Sequence, residues 1–315
     1  MMMNVWRGCI VAAGLLASLA PATAQRYPER PVTIVVPYAP GGQTDLVARK
    51  LAEGLTRSLS GPFIVDNKPG AGGKVGRSHL ERSPADGYTL LVDRAGAITE
   101  DFVHVAFLAG STPVLVVPAN SPWQTTPDLV KSLRSSPGKH LFGTTGIGGE
   151  SDRLLQNFLQ ATGTQATAVP YKGSSPALLD LQAGAVQAMF IDQGSVGNLV
   201  AAGKLRVLAV TTGRAGTGPL AGAMPLAAQG VPGLRAATWY ALYAPKGTPK
   251  QLLQRIEAES SRAIAEARQS LASSGLDLGP ADEGTNSPPT CDPGTKYCIC
   301  KAKCIPDKDE CPTKC

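Results

Sequence analysis

One local pattern recurs along this chain: a short apolar run, a glycine-rich turn, then a helical period. That repetition restricts it to layered α/β folds. The first copy reads Val32-Thr33-Ile34-Val35-Val36, then Pro37-Tyr38-Ala39-Pro40-Gly41-Gly42, then Gln43-Thr44-Asp45 and a stretch with Leu46, Val47, Leu51, Leu55 and Leu59 on one face. Thr44 is the expected helix cap, and Gly61-Pro62 ends the helix. Residues 63–65 form a second strand, closed by Asp66-Asn67-Lys68-Pro69-Gly70-Ala71-Gly72-Gly73. Backbone N–H groups at such turns point the same way as the helix dipole and make sockets for anions such as carboxylates.

The alternation continues. Residues 76–82 read as a helix, 88–92 and 114–117 as strands, and 118–122 as a crossover into a second set. There Ser151 caps a helix carrying Leu154, Leu155, Phe158 and Leu159, and 166–169 is a strand. Ser175 followed by Pro176 opens another helix, because proline at the first helical position loses no needed donor, and Gly184 stops it. Residues 188–191 and 205–211 are strands, with a short helix from Ser195 between them. Strand 238–244 returns the chain to the first set, and Thr248-Pro249 caps a helix bearing Leu252, Leu253, Ile256 and Ile264. The expected organisation is an export signal over 1–24, a first lobe over 25–117, a second over 118–238, a return to the first over 239–284, and a cysteine-rich tail over 285–315.

A length of 315 residues exceeds one typical domain and suits two α/β lobes. The net charge of +6 comes from scattered lysines and arginines, and 5% aromatic content gives little to stack on bases, so a nucleic-acid surface is not expected. Arg7, an apolar run over 9–20 and Ala22-Thr23-Ala24 before Gln25 form a secretory signal, with cleavage near Ala24; the run is too short to span a bilayer. Cys9 stands at the start of that run instead of after it, against lipid attachment. Cys291, Cys298, Cys300, Cys304, Cys311 and Cys315 crowd the tail and read as a disulfide knot with fifteen possible pairings. Zinc is the competing reading, opposed by the lack of any Cys-x-x-Cys pair or histidine there.

Most chemistries fail on spacing. Gly70-Ala71-Gly72 meets Val75 where a dinucleotide fingerprint wants its third glycine, and no Lys-Ser or Lys-Thr follows as a phosphate loop requires. A hydrolase elbow around Ser195 would need glycine at Gln193. His79, His104 and His140 stand apart from one another, and the body has no cysteine after signal removal. No cofactor, metal or catalytic residue is expected. What remains is recognition by backbone amides and hydroxyls. Gly41, Gly42, Gln43 and Thr44 form a candidate amide nest, while Asp45 either favours the helix N-terminus or holds a water or a ligand amino group. Thr145 and Gly146 lie in the second-lobe turn 143–151, Tyr171, Lys172 and Gly173 follow another strand end, and Asp192 follows a third. In open α/β sheets ligands bind just outside such strand ends.

At these residues the chain resembles the extracytoplasmic substrate-binding proteins of tripartite tricarboxylate transporters, the Bug receptor family. The matching stretches include Tyr27-Pro28-Glu29-Arg30-Pro31-Val32, Val36 to Asp45, Asp66 to Gly73, Pro84-Ala85-Asp86-Gly87-Tyr88-Thr89-Leu90-Leu91, Val169 to Gly173, Gly203 to Val210 and Ala244 to Pro249, in order along 27–279. The resemblance implies a two-lobed periplasmic clamp, likewise α/β, with its ligand cleft between the lobes. It implies a receptor rather than an enzyme, a monomer that holds a small carboxylate (a di- or tricarboxylate, an acidic amino acid or an aromatic acid) through main-chain amides and waters and presents it to an inner-membrane permease. It puts ligand contacts at Gly41, Gly42, Thr44, Asp45, Thr145, Gly146, Tyr171 and Asp192. Two departures stand out: the family's longer loop after Val92 is cut to residues 93–100, and the cysteine tail stands in place of a final helix. A secreted disulfide module on a receptor body, or an exported hydrolase, is the alternative reading.

Overall fold

Central parallel strands are covered on both faces and so read as continuous apolar runs. β1 (Val32–Val36) is such a strand, with only Thr33 less than fully buried. In the computed structural model, which describes residues 27–95, 100–212, 220–234 and 236–276 and the backbone of 295–298 and 303–306, β1 pairs in parallel with β2 (Phe63–Asn67) and β3 (Thr89–Arg94). Two antiparallel strands complete this sheet, in the order β2-β1-β3-β10-β4, with β4 at Phe102–Ser111 and β10 at Thr238–Pro245.

α1 (Gln43–Leu59) lays its apolar stripe of Val47, Leu51 and Leu55 on one face of the sheet, against Ile256 and Ile264 of α7 (Lys250–Glu266). The helices touch so closely that a Cβ added at Gly54 would lie 2.3 Å from the Cβ of Ala263, which explains a glycine inside a 17-residue helix. α8 (Arg268–Ser273) adds Leu271 to the same core, and Leu276 follows it. On the other face α2 (Lys74–Glu81) packs Leu80 near Val35, Leu91 and Tyr243.

The second sheet repeats the plan in the order β7-β6-β8-β5-β9, with β5 (Pro113–Pro118) antiparallel to its neighbours β8 (Ala188–Asp192) and β9 (Leu205–Val210). β6 (Leu141–Thr144) and β7 (Thr167–Pro170) run parallel. α3 (Thr126–Ser135) and α4 (Glu150–Thr162) cover one face over Phe142, Phe158 and Phe190. α5 (Ser174–Gln182) and α6 (Gln193–Ala201) cover the other, with Leu181 and Val196 inside. The chain is therefore a two-lobed α/β protein of the expected architecture.

Several local expectations differ from the structure. Strand 114–117 belongs to the second sheet, so the chain crosses at Thr112 between Ser111 and Pro113 rather than at 118–122. Thr112 is fixed there because its carbonyl accepts the Gln193 N–H at 2.9 Å. β4 was not anticipated, since its apolar residues break the alternation; it pairs with β10 through two register shifts. The caps are glycines: Gly42 opens α1, Gly149 opens α4 and Gly173 opens α5, in place of Thr44, Ser151 and Ser175. The Ser151 and Ser175 hydroxyls are used elsewhere, as shown below. The signal segment 1–24 and Cys291, Cys300, Cys311 and Cys315 lie outside the described residues. Cys298 and Cys304 fall on the two paired backbone strands β11 (Thr295–Cys298) and β12 (Lys303–Pro306), where Cys304 is opposite Tyr297.

Candidate functional site

The C-terminal ends of β1, β2 and β3 in the first lobe face those of β6, β7 and β8 in the second, and the glycine turns meet across the gap. The Ala39 N–H donates to the Lys172 carbonyl at 2.9 Å, and the Ser175 hydroxyl donates to the Pro40 carbonyl at 2.9 Å. A Cβ added at Gly146 would lie 2.7 Å from the Gly72 nitrogen, and one at Gly72 would lie 2.5 Å from the Ile147 carbonyl oxygen. Both glycines have positive φ, 125° and 62°, so backbone conformation and close approach each demand glycine. Gly173 is constrained the same way, since a Cβ added there would lie 3.0 Å from the Ala39 nitrogen, and its φ is 144°.

The predicted residues divide into three groups. Gly41, Asp45, Thr145 and Tyr171 are tied within their own lobes. The Asp45 carboxylate accepts from the Gly41 N–H at 3.0 Å, from Arg49 Nε at 2.9 Å and Nη2 at 3.0 Å, and from Asn67 Nδ2 at 3.0 Å. One donor of the first-lobe nest, the Gly41 N–H, is thus already used by a carboxylate of its own helix. Burial alone would raise the Asp45 carboxyl, but the bonds from Arg49, Gly41 and Asn67 outweigh it and hold it below the ordinary range. The Thr145 N–H donates to the Ser151 hydroxyl at 2.7 Å. Tyr171 turns its hydroxyl to Asp180 at 2.6 Å, onto α5.

Lys172, Gly173 and Gly146 form the second group and act through backbone at the lobe contact. Gln43 also works between elements: its Nε2 donates to the Ser274 carbonyl at 3.2 Å, beside the bond from Gln193 Nε2 to the Gly275 carbonyl at 3.0 Å. Gly42 caps α1 and Thr44 is buried in its first turn.

Asp192 alone forms the third group, and it leads to the residues that sequence reasoning missed. Its carboxylate, 2% exposed as a residue, accepts from Arg94 Nη2 at 2.9 Å and from the Tyr240 hydroxyl at 2.8 Å. Arg94 also faces Glu150, Nη1 to Oε2 at 3.3 Å, while Glu150 Oε1 accepts from the Thr238 hydroxyl at 2.9 Å. Asp93, next in chain, takes Arg77 Nη1 at 2.6 Å. The Tyr38 ring centroid lies 5.3 Å from the Arg94 guanidinium carbon, within cation–π range. Two guanidiniums, Arg77 and Arg94, thus meet three carboxylates, Asp93, Glu150 and Asp192.

That excess of buried acid goes with raised carboxyls. Burial pushes the Glu150 carboxyl up against the pull of Arg94, with Asp192 adding to the rise. Burial likewise raises Asp93 against Arg77. Arg94 is held charged, its burial more than offset by Asp192 and Glu150. The sequence signal for this cluster was a charged pair, Asp93-Arg94, ending the apolar strand β3 at the point where the connection to β4 is short.

A cavity of about 10 Å³ lies between Arg94, Glu150, Ser151 and Asp192, room for about one water. Two larger cavities, about 590 and 530 Å³, are lined by Leu205 and Ala119 and by Pro118 and His140. Those residues mark the opposite end of the second sheet, so neither cavity is the cleft. No group of three or more His, Cys, Asp or Glu side chains suited to a metal occurs among the described residues. His104 lies against Phe107 and Tyr243, and His140 against Trp123 and the Ser132 oxygen, so two of the three histidines are accounted for by ring and hydroxyl contacts.

A family profile described as "Tripartite tricarboxylate transporter family receptor" matches residues 47–284. A protein from the tcbD-tcbE intergenic region of Pseudomonas sp. (strain P51) is 36% identical over 282 residues, covering 83% of each chain. Protein BugT of Bordetella pertussis is 34% identical over 278 residues, 82% of this chain and 84% of its own. Among solved structures, R. palustris Rpa4515 with adipate has a TM-score of 0.72 at 31% identity, covering 80% of this chain and 89% of that one. MatC of Rhodopseudomonas palustris with bound malate has a TM-score of 0.75 at 26% identity, covering 80% and 91%. Periplasmic binding protein BugD has a TM-score of 0.74 at 28% identity, covering 80% and 89%. With a matching profile over most of its length and relatives above 30% identity along more than four-fifths of it, this chain belongs to the tripartite tricarboxylate transporter receptor family.

Proposed function

We propose that this protein is a periplasmic receptor that closes its two lobes around a small carboxylate and presents it, as a monomer, to the membrane permease of a tripartite tricarboxylate-type transporter. The observation that carries the reading is the meeting of strand C-terminal ends across a cleft, with a buried guanidinium, Arg94, at its centre. Arginine is suited to this task because its planar fork matches a carboxylate's two oxygens and its charge survives burial. The adipate and malate of the two structural neighbours are carboxylates, which supports the same ligand class.

Closure follows from the contacts. The turns bearing Ala39, Pro40 and Gly72 grip those bearing Gly146, Lys172 and Ser175 through backbone and hydroxyl groups that carry no net charge. A ligand bound between the strand ends adds contacts to both lobes at once, so its differential affinity for the closed form drives the equilibrium. Backbone contacts fix the shape of the closed state, and the buried charges select the ligand.

Isothermal titration calorimetry of the exported protein with malate, adipate, citrate, glutamate and benzoate tests this reading. Saturable binding of at least one acid with no turnover is expected. Silence across the whole panel contradicts it.

A further inference from the structure

We propose that the turn Ser274-Gly275, which follows α8 in the first lobe, is a latch that seats the second lobe in the closed receptor, and that Gln193 is the positioning residue that engages it; the inference rests on the receptor reading above. The turn is a Schellman cap. The Leu276 N–H donates to the Leu271 carbonyl at 3.1 Å and the Gly275 N–H to the Ala272 carbonyl at 2.9 Å, with Gly275 at a φ of 71°. Leu271 and Leu276, the apolar pair that accompanies such a cap, are both buried in the first-lobe core. The turn therefore moves with the first lobe.

This cap uses the N–H groups of the turn and leaves the Ser274 and Gly275 carbonyls as acceptors. One glutamine from each lobe takes them. Gln43 Nε2, at the start of α1, donates to the Ser274 carbonyl at 3.2 Å, and Gln193 Nε2, at the start of α6, donates to the Gly275 carbonyl at 3.0 Å. The first bond lies within one lobe and orients the turn, while the second joins the lobes. Gln193 is also anchored at the chain crossover, because its own N–H donates to the Thr112 carbonyl at 2.9 Å. A tie at that point bears on the angle at which the second lobe meets the first.

Gly194 separates this role from simple helix capping. Gly275 needs to be glycine for the cap alone, since its φ is positive. Gly194 instead stands in the first turn of α6, where glycine weakens a helix relative to alanine. The latch accounts for it: a Cβ added at Gly194 would lie 1.9 Å from the Ser274 carbonyl oxygen, and one added at Gly275 would lie 2.7 Å from the Gly194 Cα. Beside the Gly72 and Gly146 approach and the Arg94–Asp192 pair, this is a third tie between the lobes, supplied by the C-terminal segment rather than by a strand end. Ligand affinity depends on the closed form, so loosening the latch lowers affinity without removing a ligand contact.

Calorimetric titration of the wild type, Gln193→Ala, Gln193→Met and Gly194→Ala with malate, adipate, citrate, glutamate and benzoate tests the latch. Circular dichroism melts verify folding, and small-angle scattering at saturating acid reads closure. Methionine keeps the length of the glutamine side chain and removes only its donor, so a residue that merely fills space tolerates it. The expected result is about 3- to 10-fold weaker binding by both Gln193 variants and at least about 10-fold weaker binding by Gly194→Ala, with a larger radius of gyration than the liganded wild type. Binding by Gln193→Met within about 2-fold of wild type overturns the latch while the receptor reading stands. So does a folded Gly194→Ala with wild-type affinity and radius. If Gly194→Ala fails to fold, the two Gln193 variants decide alone. If the wild type binds no acid of the panel, the receptor reading falls, and the inference with it.

Discussion

Arg94 closes the first-lobe strand β3, Asp192 closes the second-lobe strand β8, and the two side chains meet at 2.9 Å although 98 residues separate them in sequence. This ion pair is buried and joins the two lobes. Breaking one partner of such a pair leaves an uncompensated charge, which typically costs about 3–5 kcal/mol. Asp192→Ala is therefore expected to lower unfolding stability by that order and to increase the radius of gyration in small-angle scattering. Urea denaturation unchanged within about 0.5 kcal/mol contradicts a structural role for the pair.

Gly146 and Gly72 mark a close backbone approach between the two lobes. Alanine at Gly146 places its Cβ 2.7 Å from the Gly72 nitrogen, in a backbone conformation with φ of 125° that alanine disfavours. Gly146→Ala is expected to weaken carboxylate binding by about 10-fold or more, roughly 1.4 kcal/mol, measured by calorimetry. Binding equal to wild type would show that closure does not depend on this contact.

Asp45 is expected to matter for stability ahead of ligand binding. Its carboxyl is held below the ordinary range in the folded protein, so its contribution is present above the unfolded pKa of about 3.9 and is lost as pH falls through the lower folded value. Asp45→Ala strips the acceptor from Gly41, Arg49 and Asn67, a loss of about 2 kcal/mol, and the gap between variant and wild type in thermal melts should shrink from pH 6 to pH 3. A gap independent of pH counts against this account.

Glu150 has the opposite sign. It faces Arg94 on β3 and Asp192 on β8, with Arg153 on its own helix and Thr238 on β10, and Tyr38 and Tyr240 nearby. Its carboxyl is raised, so the folded protein binds that proton more tightly than the unfolded chain does. That contribution is full below the unfolded pKa of about 4.3 and is lost as pH rises through the folded value. Glu150→Gln is therefore expected to gain stability over wild type at pH 8 and to lose that advantage near pH 4, read as melting temperatures. Constant differences across that range contradict the raised carboxyl.

Much of this architecture was legible because burial imposes period and length on sequence. The run at Val32 to Val36 and the stripe of Val47, Leu51 and Leu55 describe a two-face-buried strand and its covering helix, and both exist. β4 was not legible, because its order depends on pairing with β10 from over a hundred residues away. The turns were found through their glycines, but which anion fills a turn is decided by side chains converging in space. Asp45 folding back on Gly41 follows from an i,i+4 geometry that sequence allows without requiring. Arg94 reads as part of a shortened loop; it becomes the centre of a buried ion cluster only when β8 and α4 bring Asp192 and Glu150 to it.

A crystal structure of the protein soaked with malate or adipate tests the central claim most directly. The account predicts the ligand between the strand ends of the two lobes, touching groups of both, with Asp192 still bonded to Tyr240. A ligand bound at the opposite end of the second sheet, in the cavity lined by Leu205 and Ala119 or in the one lined by Pro118 and His140, would contradict it.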